Sequence, residues 1–356
     1  MKGQALMTRI GVVWDALGWH EKFCHALEMK RREGTQVEWD TLSFDSPEWA
    51  RSAEQCDLIL WMPGYNGPQI AAEFKEKIYF LQEHLGKVVV PNFQTVWHYE
   101  SKIAQSFLFS KYGVPTPRTL VCSSYDSACE EIEKGTFPLV FKKSHGASSD
   151  NVWRVRTKSS ALRAISAIFS QQLWDRAKQS KHSPFAAAAT SLHHRWFWEK
   201  VLQKLLGRER YGVVYWQEFI PDNDADLRVT FFGDRYAVCF WRKNRPHDFR
   251  ASGSGRIDYD RPIPEDAIRL CSRISQQLDF DSMAYDLLYH NGSPVVTEMS
   301  YSFVDTAVFN APGHYELDDR AGIRFVPGHT WPQEFWVRWA LHRHACRSQK
   351  GKGKPE

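Results

Sequence analysis

Short apolar runs alternate with stretches of helical spacing from the start of the chain. "RIGVVWD" (9–15) reads as a strand, and a helical stretch follows through Met29. "VEWDTLSF" and "CDLILWMPGYNG" (56–67) read as further strands, a helix follows near 70–84, and "KVVVPNF" (87–93) closes the set. Strands alternating with helices in this way predict a parallel, doubly wound sheet. No G-x-G-x-x-G fingerprint occurs, so a dinucleotide site is not expected there. The loop Gly64-Tyr65-Asn66-Gly67 leaves a strand at its carboxyl end, where ligand loops gather in such sheets; a plain turn reads equally well.

"HYESKIAQSFLFSKYGV" (98–114) is helical and closes on Gly113. "PTPRTLV" leads away as an extended linker, which puts a domain boundary after residue 114 and a first domain at 7–114. A second lobe is expected over 115–212. It holds the amphipathic helix "CSSYDSACEEIEKG" and a strand, loop and strand in "FPLVFKKSHGASSDNVWRV" (137–155). A helical stretch over 158–210 completes it, with Trp198, Val201, Leu202, Leu205 and Leu206 on one face. A third lobe over 213–345 opens with strands at 213–220, 227–233 and 236–241 and continues through a helix at 264–278. Its hairpin, "YDLLYHNGSPVVTEMSYSF" (285–303), turns at Asn291-Gly292. Residues 346–356 form a basic, Gly/Lys-rich tail expected to be disordered.

Each arm of that apolar hairpin carries one acid, Asp286 and Glu298. A loop of odd count, such as Asn291-Gly292-Ser293, sets the two opposite each other, about 5 Å apart at Cβ. A two-residue loop sets them on opposite faces. Two like charges that close and out of water call for neutralisation, by a proton or by a cation between them. A hard divalent ion with oxygen ligands meets that need. Acids at strand ends that simply face solvent are the other reading of the same stretch.

Composition narrows the class. The 356 residues suffice for two or three domains, and 43% hydrophobic with 25% charged residues is the balance of a soluble globular protein. No apolar run approaches the roughly 20 residues that cross a bilayer. The N-terminal "MKGQALMTR" lacks a signal-peptide pattern. Seven scattered cysteines without a C-x-x-C pair argue against zinc knuckles and disulfide frameworks, so a reducing cytoplasm is the expected compartment. The net charge of +4 is too mild to indicate nucleic acid.

Candidate chemistry gathers in the second and third lobes. Lys142 ends a strand before a loop of small residues, an arrangement that can cradle phosphates with backbone N–H groups and a compact positive charge. In "DADLRVTFFGDRYAVCFWRKNRPHDFRASGSG" (224–255), Arg228 and Arg242 sit on successive strands among apolar neighbours, and Arg250 follows in a Gly/Ser-rich loop. Three arginines from adjoining segments can clamp carboxylate or phosphate oxygens. Taken in order, these features resemble the ATP-grasp superfamily, in particular its ribosomal-protein glutamate ligases and glutathione synthetases. The resemblance covers about residues 9–310 and is most specific in "DLRVTFFGDRYAVCFWRKNRPHDFR" and "LDFDSMAYDLLYHNGSPVVTEMSYS".

The resemblance implies an α/β (α+β) chain with an N-terminal doubly wound domain and two lobes enclosing ATP. It implies a ligase that activates a carboxylate as an acyl phosphate for attack by an amine, with ATP and Mg²⁺ as cofactors. By that resemblance Lys102, Lys142, Ser148 and Ser149 meet phosphates. Gln217, Glu218, Phe219 and Ile220 line adenine, and Asp226 and Arg228 border nucleotide and substrate. Arg242 and Arg250 steady the acyl phosphate, and Asp286, Glu298 and Ser300 hold magnesium. Four positions depart from the pattern. Ser149 and Asn151 stand where glycine is common, Ser252 where Asn is expected, and Ser300 where the acid-x-Asn motif ends. A kinase acting on a hydroxyl acceptor and a non-catalytic nucleotide-binding module remain as alternatives. Small-molecule or peptide acids and amines are the expected partners. Trp331, Phe335 and Trp339 share a helical face that could touch a membrane surface or a lipid-linked sugar, or pack into a core.

Overall fold

A computed structural model describes residues 7–62, 68–99, 101–142, 152–169, 212–318 and 322–351. The chain divides into two compact units: Met1–Glu100 with Lys111–Pro115 and Asp222–Glu356, and Ser101–Ser110 with Thr116–Pro221. Most of the stretches 7–114 and 213–345 fall in the first unit, while Ser101–Ser110 and residues 213–221 go with the second.

The first unit begins with β1 (Thr8–Val13), α1 (Trp19–Arg32), β2 (Val37–Leu42), α2 (Trp49–Glu54) and β3 (Leu58–Leu60). There follow α3 (Pro68–Tyr79), a π-helical turn at Phe80–His84, β4 (Val88–Val90) and α4 (Phe93–Val96). The strands form a parallel sheet in the order β2-β1-β3-β4. β3 and β4 are the all-apolar triplets "LIL" and "VVV", buried throughout, as strands covered on both faces should be. The order reverses between β1 and β3. A crevice at such a switch point, outside the carboxyl ends of the strands, is where open α/β sheets bind ligands.

The second unit starts in α5 (Lys102–Tyr112) and continues with β5 (Thr119–Cys122), α6 (Tyr125–Glu133), β6 (Leu139–Lys142), β7 (Val152–Val155), α7 (Lys158–Ile168) and β8 (Val214–Glu218). Its four strands are antiparallel in the order β5-β8-β6-β7. Ser124 and Thr157 cap α6 and α7, each accepting from the backbone N–H three residues on. One sheet face and these two helices enclose Phe141, Trp216, Ile132 and Ile165. The helix expected beyond Phe169, including the Trp198–Leu206 face, lies outside the described residues.

The rest of the first unit is β9 (Ala225–Phe232), β10 (Tyr236–Lys243), β11 (Ile257–Asp258), α8 (Glu265–Gln277), β12 (Ser282–His290) and β13 (Ser293–Ser300). It closes with α9 (Asp305–Phe309), β14 (Gly313–Asp318), β15 (Gly322–Pro327) and α10 (Pro332–Gly351). A seven-stranded sheet runs β13-β12-β9-β10-β14-β15, with β11 on β10. α8 buries Ala267, Ile268, Cys271 and Ile274.

α10 carries the expected aromatic face: Phe335 is fully buried and stacked on Phe232, Trp331 and Trp339 are half-buried, and the neighbouring Trp336 is buried against Phe23. It also continues to Gly351, into the stretch expected to be a disordered tail. The β14–β15 hairpin was not foreseen. Among the described residues no helix is long and apolar enough to cross a membrane, and all seven cysteines are free thiols.

Candidate active site

Backbone geometry of the β12–β13 hairpin decides which side chains meet. Asn291 and Gly292 take positive φ, 50° and 77°. This is the two-residue turn in which both central residues are left-handed, a conformation Asn and Gly reach at least cost. His290 therefore faces Ser293, and the register runs evenly to Leu287 opposite Val296. There it slips by one, so that Asp286 faces Glu298 and Thr297 is the extra residue. Thr297 Oγ1 donates to the Asp286 carbonyl at 3.0 Å and ties the bulge down. The turn has two residues, the case in which the acids would lie on opposite faces, and the bulge restores them to opposed positions.

The same face continues across the sheet. Asp286 lies opposite Arg228 of β9, and Asp226, two residues earlier on β9, lies opposite Arg242 of β10. Arg228 donates from Nε and Nη2 to the two Asp286 oxygens at 2.8 and 2.9 Å. Arg242 donates to Asp226 at 2.7 and 2.5 Å and reaches Asp286 Oδ2 at 2.8 Å. Asp226, Arg242 and Asp286 are all under 10% exposed. The neutralising cations for Asp286 are therefore two guanidinium groups.

Protonation equilibria follow from this packing. Burial works to raise the Asp286 pKa, but Arg228 and Arg242 outweigh it and hold the carboxyl below the usual carboxylate range. At Asp226 burial prevails over Arg242 and pushes the carboxyl up. Burial alone would lower the Arg242 pKa, yet Asp286 and Asp226 raise it, so Arg242 stays charged.

The remaining expected residues are placed as follows. Arg250 donates from Nε and Nη2 to Asp248 Oδ2 at 2.9 and 2.6 Å, in the loop that leaves β10 just beyond Arg242. Ser300 Oγ donates to the Ser302 carbonyl and accepts from the Ser302 N–H, so its hydroxyl is committed to the turn after β13. In the second unit, Lys142 is the last residue of β6, half-buried, and Lys102 is buried in the first turn of α5. Gln217 is buried and donates to Thr119 Oγ1 at 3.0 Å, tying β8 to β5. Glu218 N–H donates to the Arg118 carbonyl, and the Arg154 guanidinium lies 4.9 Å from the Phe219 ring centre. Ile220 is buried. Ser148 and Ser149, and the loop Gly64–Gly67, lie outside the described residues. Asp248 and Thr297 were not anticipated. The signal for Asp248 is an acid two residues before an arginine; a bulge at Thr297 has no comparable signature.

No family model matches the chain. It is similar to the α-aminoadipate–LysW ligase LysX of Saccharolobus solfataricus, at 21% identity over 196 residues, 55% of this chain and 58% of that protein. It therefore spans less than two thirds of that relative's length. Among solved structures it superposes on the D-alanine–D-alanine ligase of Bacillus anthracis complexed with ATP. The TM-score is 0.57 at 14% identity, covering 98% of this chain and 100% of that one. A RimK-domain ATP-grasp protein of Sphaerobacter thermophilus gives a TM-score of 0.53 at 14% identity, covering 94% and 100%. The chain has the ATP-grasp fold.

The ATP-grasp family implies magnesium, and the row of side chains tests that. A carboxylate offers about four lone-pair sites, and the guanidinium contacts from Arg228 and Arg242 occupy those of Asp286. Among the described residues no three His, Cys, Asp or Glu side chains converge as a cation site. Glu298 is half-buried and faces Asp286 across the hairpin. One carboxylate fits magnesium when substrate phosphates complete its shell.

Proposed function

We propose that the protein is an ATP-dependent carboxylate–amine ligase that forms an amide bond through an acyl phosphate and releases ADP. The observation that carries this reading is the charged row Arg242, Asp226, Arg228, Asp286 and Glu298 on one sheet face of an ATP-grasp fold. Lys102, Lys142, Ser148 and Ser149 would meet ATP phosphates, and Gln217 to Ile220 would border adenine, with Gln217 acting through its tie to Thr119. Asp286 and Asp226 hold Arg228 and Arg242 in fixed orientation. Arg250, steadied by Asp248, would receive the acyl phosphate with its planar fork. Glu298 would hold magnesium together with phosphate oxygens, and the ion would offset charge on the transferring phosphoryl group. LysX by its name joins α-aminoadipate to LysW, so an amino acid among the substrates is the corresponding expectation here.

Product analysis tests the reading. ADP and free phosphate should appear only when an acid and an amine are both present. ADP formation with a hydroxyl acceptor and no amine would mark a kinase instead, and ATP binding without turnover a non-catalytic module. Lys142→Ala should raise the ATP dissociation constant about tenfold, a loss of ~1.4 kcal/mol; an unchanged constant in calorimetry would remove this residue from the site.

A further inference from the structure

β15 ends the seven-stranded sheet: among the described residues it pairs with β14 and with no other strand. One bond shows which of its main-chain groups point away from β14. The Gly328 N–H donates to the Pro312 carbonyl at 2.9 Å. These two residues continue the register that pairs Gly313 with Pro327. Hydrogen-bonded and non-hydrogen-bonded pairs alternate along an antiparallel ladder. Gly322, Arg324 and Val326 therefore bond to β14, while Ile323, Phe325 and Pro327 direct their main-chain groups outward. Pro327 fits this assignment, because an edge strand tolerates proline where the nitrogen faces away from the ladder.

Exposed edges are commonly blunted by charge, by proline or by a covering segment. On β15 the proline stands at the end of the strand, and its middle is apolar on one face. Phe325 is 46% exposed, and its ring centre lies 5.2 Å from that of Tyr315, directly opposite on β14. Arg324 points to the other face and is ion-paired with Glu316.

We infer that β15 pairs with β15 of a second copy of this chain, antiparallel and centred on Phe325, so that two sheets become one. The strand complements itself in that register. A two-fold axis normal to the sheet keeps each face on its own side. Phe325 then exchanges both main-chain bonds with Phe325 of the partner subunit, and the Ile323 N–H donates to the carbonyl of Pro327 of the partner subunit. Both outward N–H groups of each copy gain an acceptor. The group left over is the Ile323 carbonyl, and a carbonyl is more readily left under-satisfied than an N–H. Tyr315 and Phe325 of the two copies line up as a strip of rings on one face, where cross-strand aromatic pairs stabilise a sheet. On the other face Arg324 lies opposite Val326 of the partner subunit. A register centred on Arg324 would set two guanidinium groups directly opposite each other, which like charges disfavour. A single strand pair makes an interface under ~1,000 Å², so the dimer is weak and reversible.

The test uses the full chain. Sedimentation velocity across the micromolar range should show a monomer–dimer equilibrium. Phe325→Lys, at an exposed position, should raise the dimer dissociation constant about tenfold. Cross-linking reads the register in a Cys346→Ser background, which lacks the exposed native thiol. Phe325→Cys should give a disulfide-linked dimer with diamide, two thiols passing two electrons and two protons to the azo group. Residues directly opposite in a hydrogen-bonded pair lie ~5.5 Å apart at Cα, within disulfide reach. Arg324→Cys, two residues out of register with its own copy, should stay unlinked. A monomer at every concentration overturns the inference. So does a dimer indifferent to Phe325→Lys, or one that Arg324→Cys links faster than Phe325→Cys.

Discussion

Asp286 and Glu298 face each other across one strand pair but differ in what removing their charge does. Asp286 is buried and shared by Arg228 and Arg242. Asp286→Asn leaves the buried Arg242 and the partly buried Arg228 short of an anion, and breaking a buried pair from one side costs about 3–5 kcal/mol. Urea denaturation should record that loss before any effect on activity is considered. Glu298 is only half-buried. Glu298→Gln should cost less than Asp286→Asn while removing magnesium-dependent ADP release. Equal stability losses in the two variants would contradict this division of roles. The sequence marks both acids as unusual in an apolar hairpin, and resemblance marks the arginines. That Asp286 belongs to the arginines is not legible, because it depends on the register between β9 and β12, strands separated by more than fifty residues.

At the scale of elements, turns and bulges set that register. Asn291-Gly292 is readable as a tight turn because few other residues accept two successive left-handed positions. The bulge at Thr297 is not readable, since no residue type marks it and the slip is stabilised by one contact from the Thr297 side chain to the Asp286 carbonyl. The parallel strands β1 to β4 were legible for a simpler reason. Their apolar runs are short and separated by helical spacing, so local pattern and tertiary role agree. The β14–β15 hairpin escaped because its strands are partly exposed and hold few apolar residues in alternation. Asn291→Ala, at φ 50°, should cost about 1 kcal/mol, and Asn291→Gly should be nearly neutral. Gly233 makes the stronger test. It turns from β9 to β10 at φ 59°, and a Cβ there would stand 2.3 Å from Trp339 Cε3. The ring cannot yield easily, because its Nε1 donates to Asp281 Oδ1 at 2.6 Å. Gly233→Ala should therefore cost about 2–3 kcal/mol, seen as a lower urea midpoint with an unchanged slope.

The first unit is assembled from both ends of the chain, and Asp281 sits where they join. Its N–H donates to Thr95 Oγ1, and its carboxylate accepts from the Asn92 N–H and Trp339 Nε1 and is ion-paired with Arg343. Those partners come from the start of α4 and from α10, so one buried side chain ties the parallel sheet, the antiparallel sheet and the last helix. That the first and last parts of the chain share one unit is not legible in the sequence, because it depends on contacts between residues nearly 190 apart. Burial is the main influence on Asp281 and prevails over Arg343 and Trp339, so its pKa rises from 3.8 to about 6. The folded state thus binds the proton more tightly than the unfolded chain. The stabilisation that follows is complete below about pH 4 and is lost as pH rises through about 6. A difference of about two pK units corresponds to roughly 3 kcal/mol. Carboxyls that are held down contribute in the opposite sense, Asp248 among them, mainly through its bond to Arg250, and lose their stabilisation only as pH falls below the ordinary carboxylate value. Comparison with Asp281→Asn cancels them. The stability of the wild type relative to that variant should fall by roughly 3 kcal/mol between pH 4 and pH 7, with Arg343 keeping Asp279 as its partner throughout. Urea unfolding of both proteins at half-unit pH steps measures the difference. A flat difference would mean that Arg343 and Trp339 fully offset burial, and a rising one that they outweigh it.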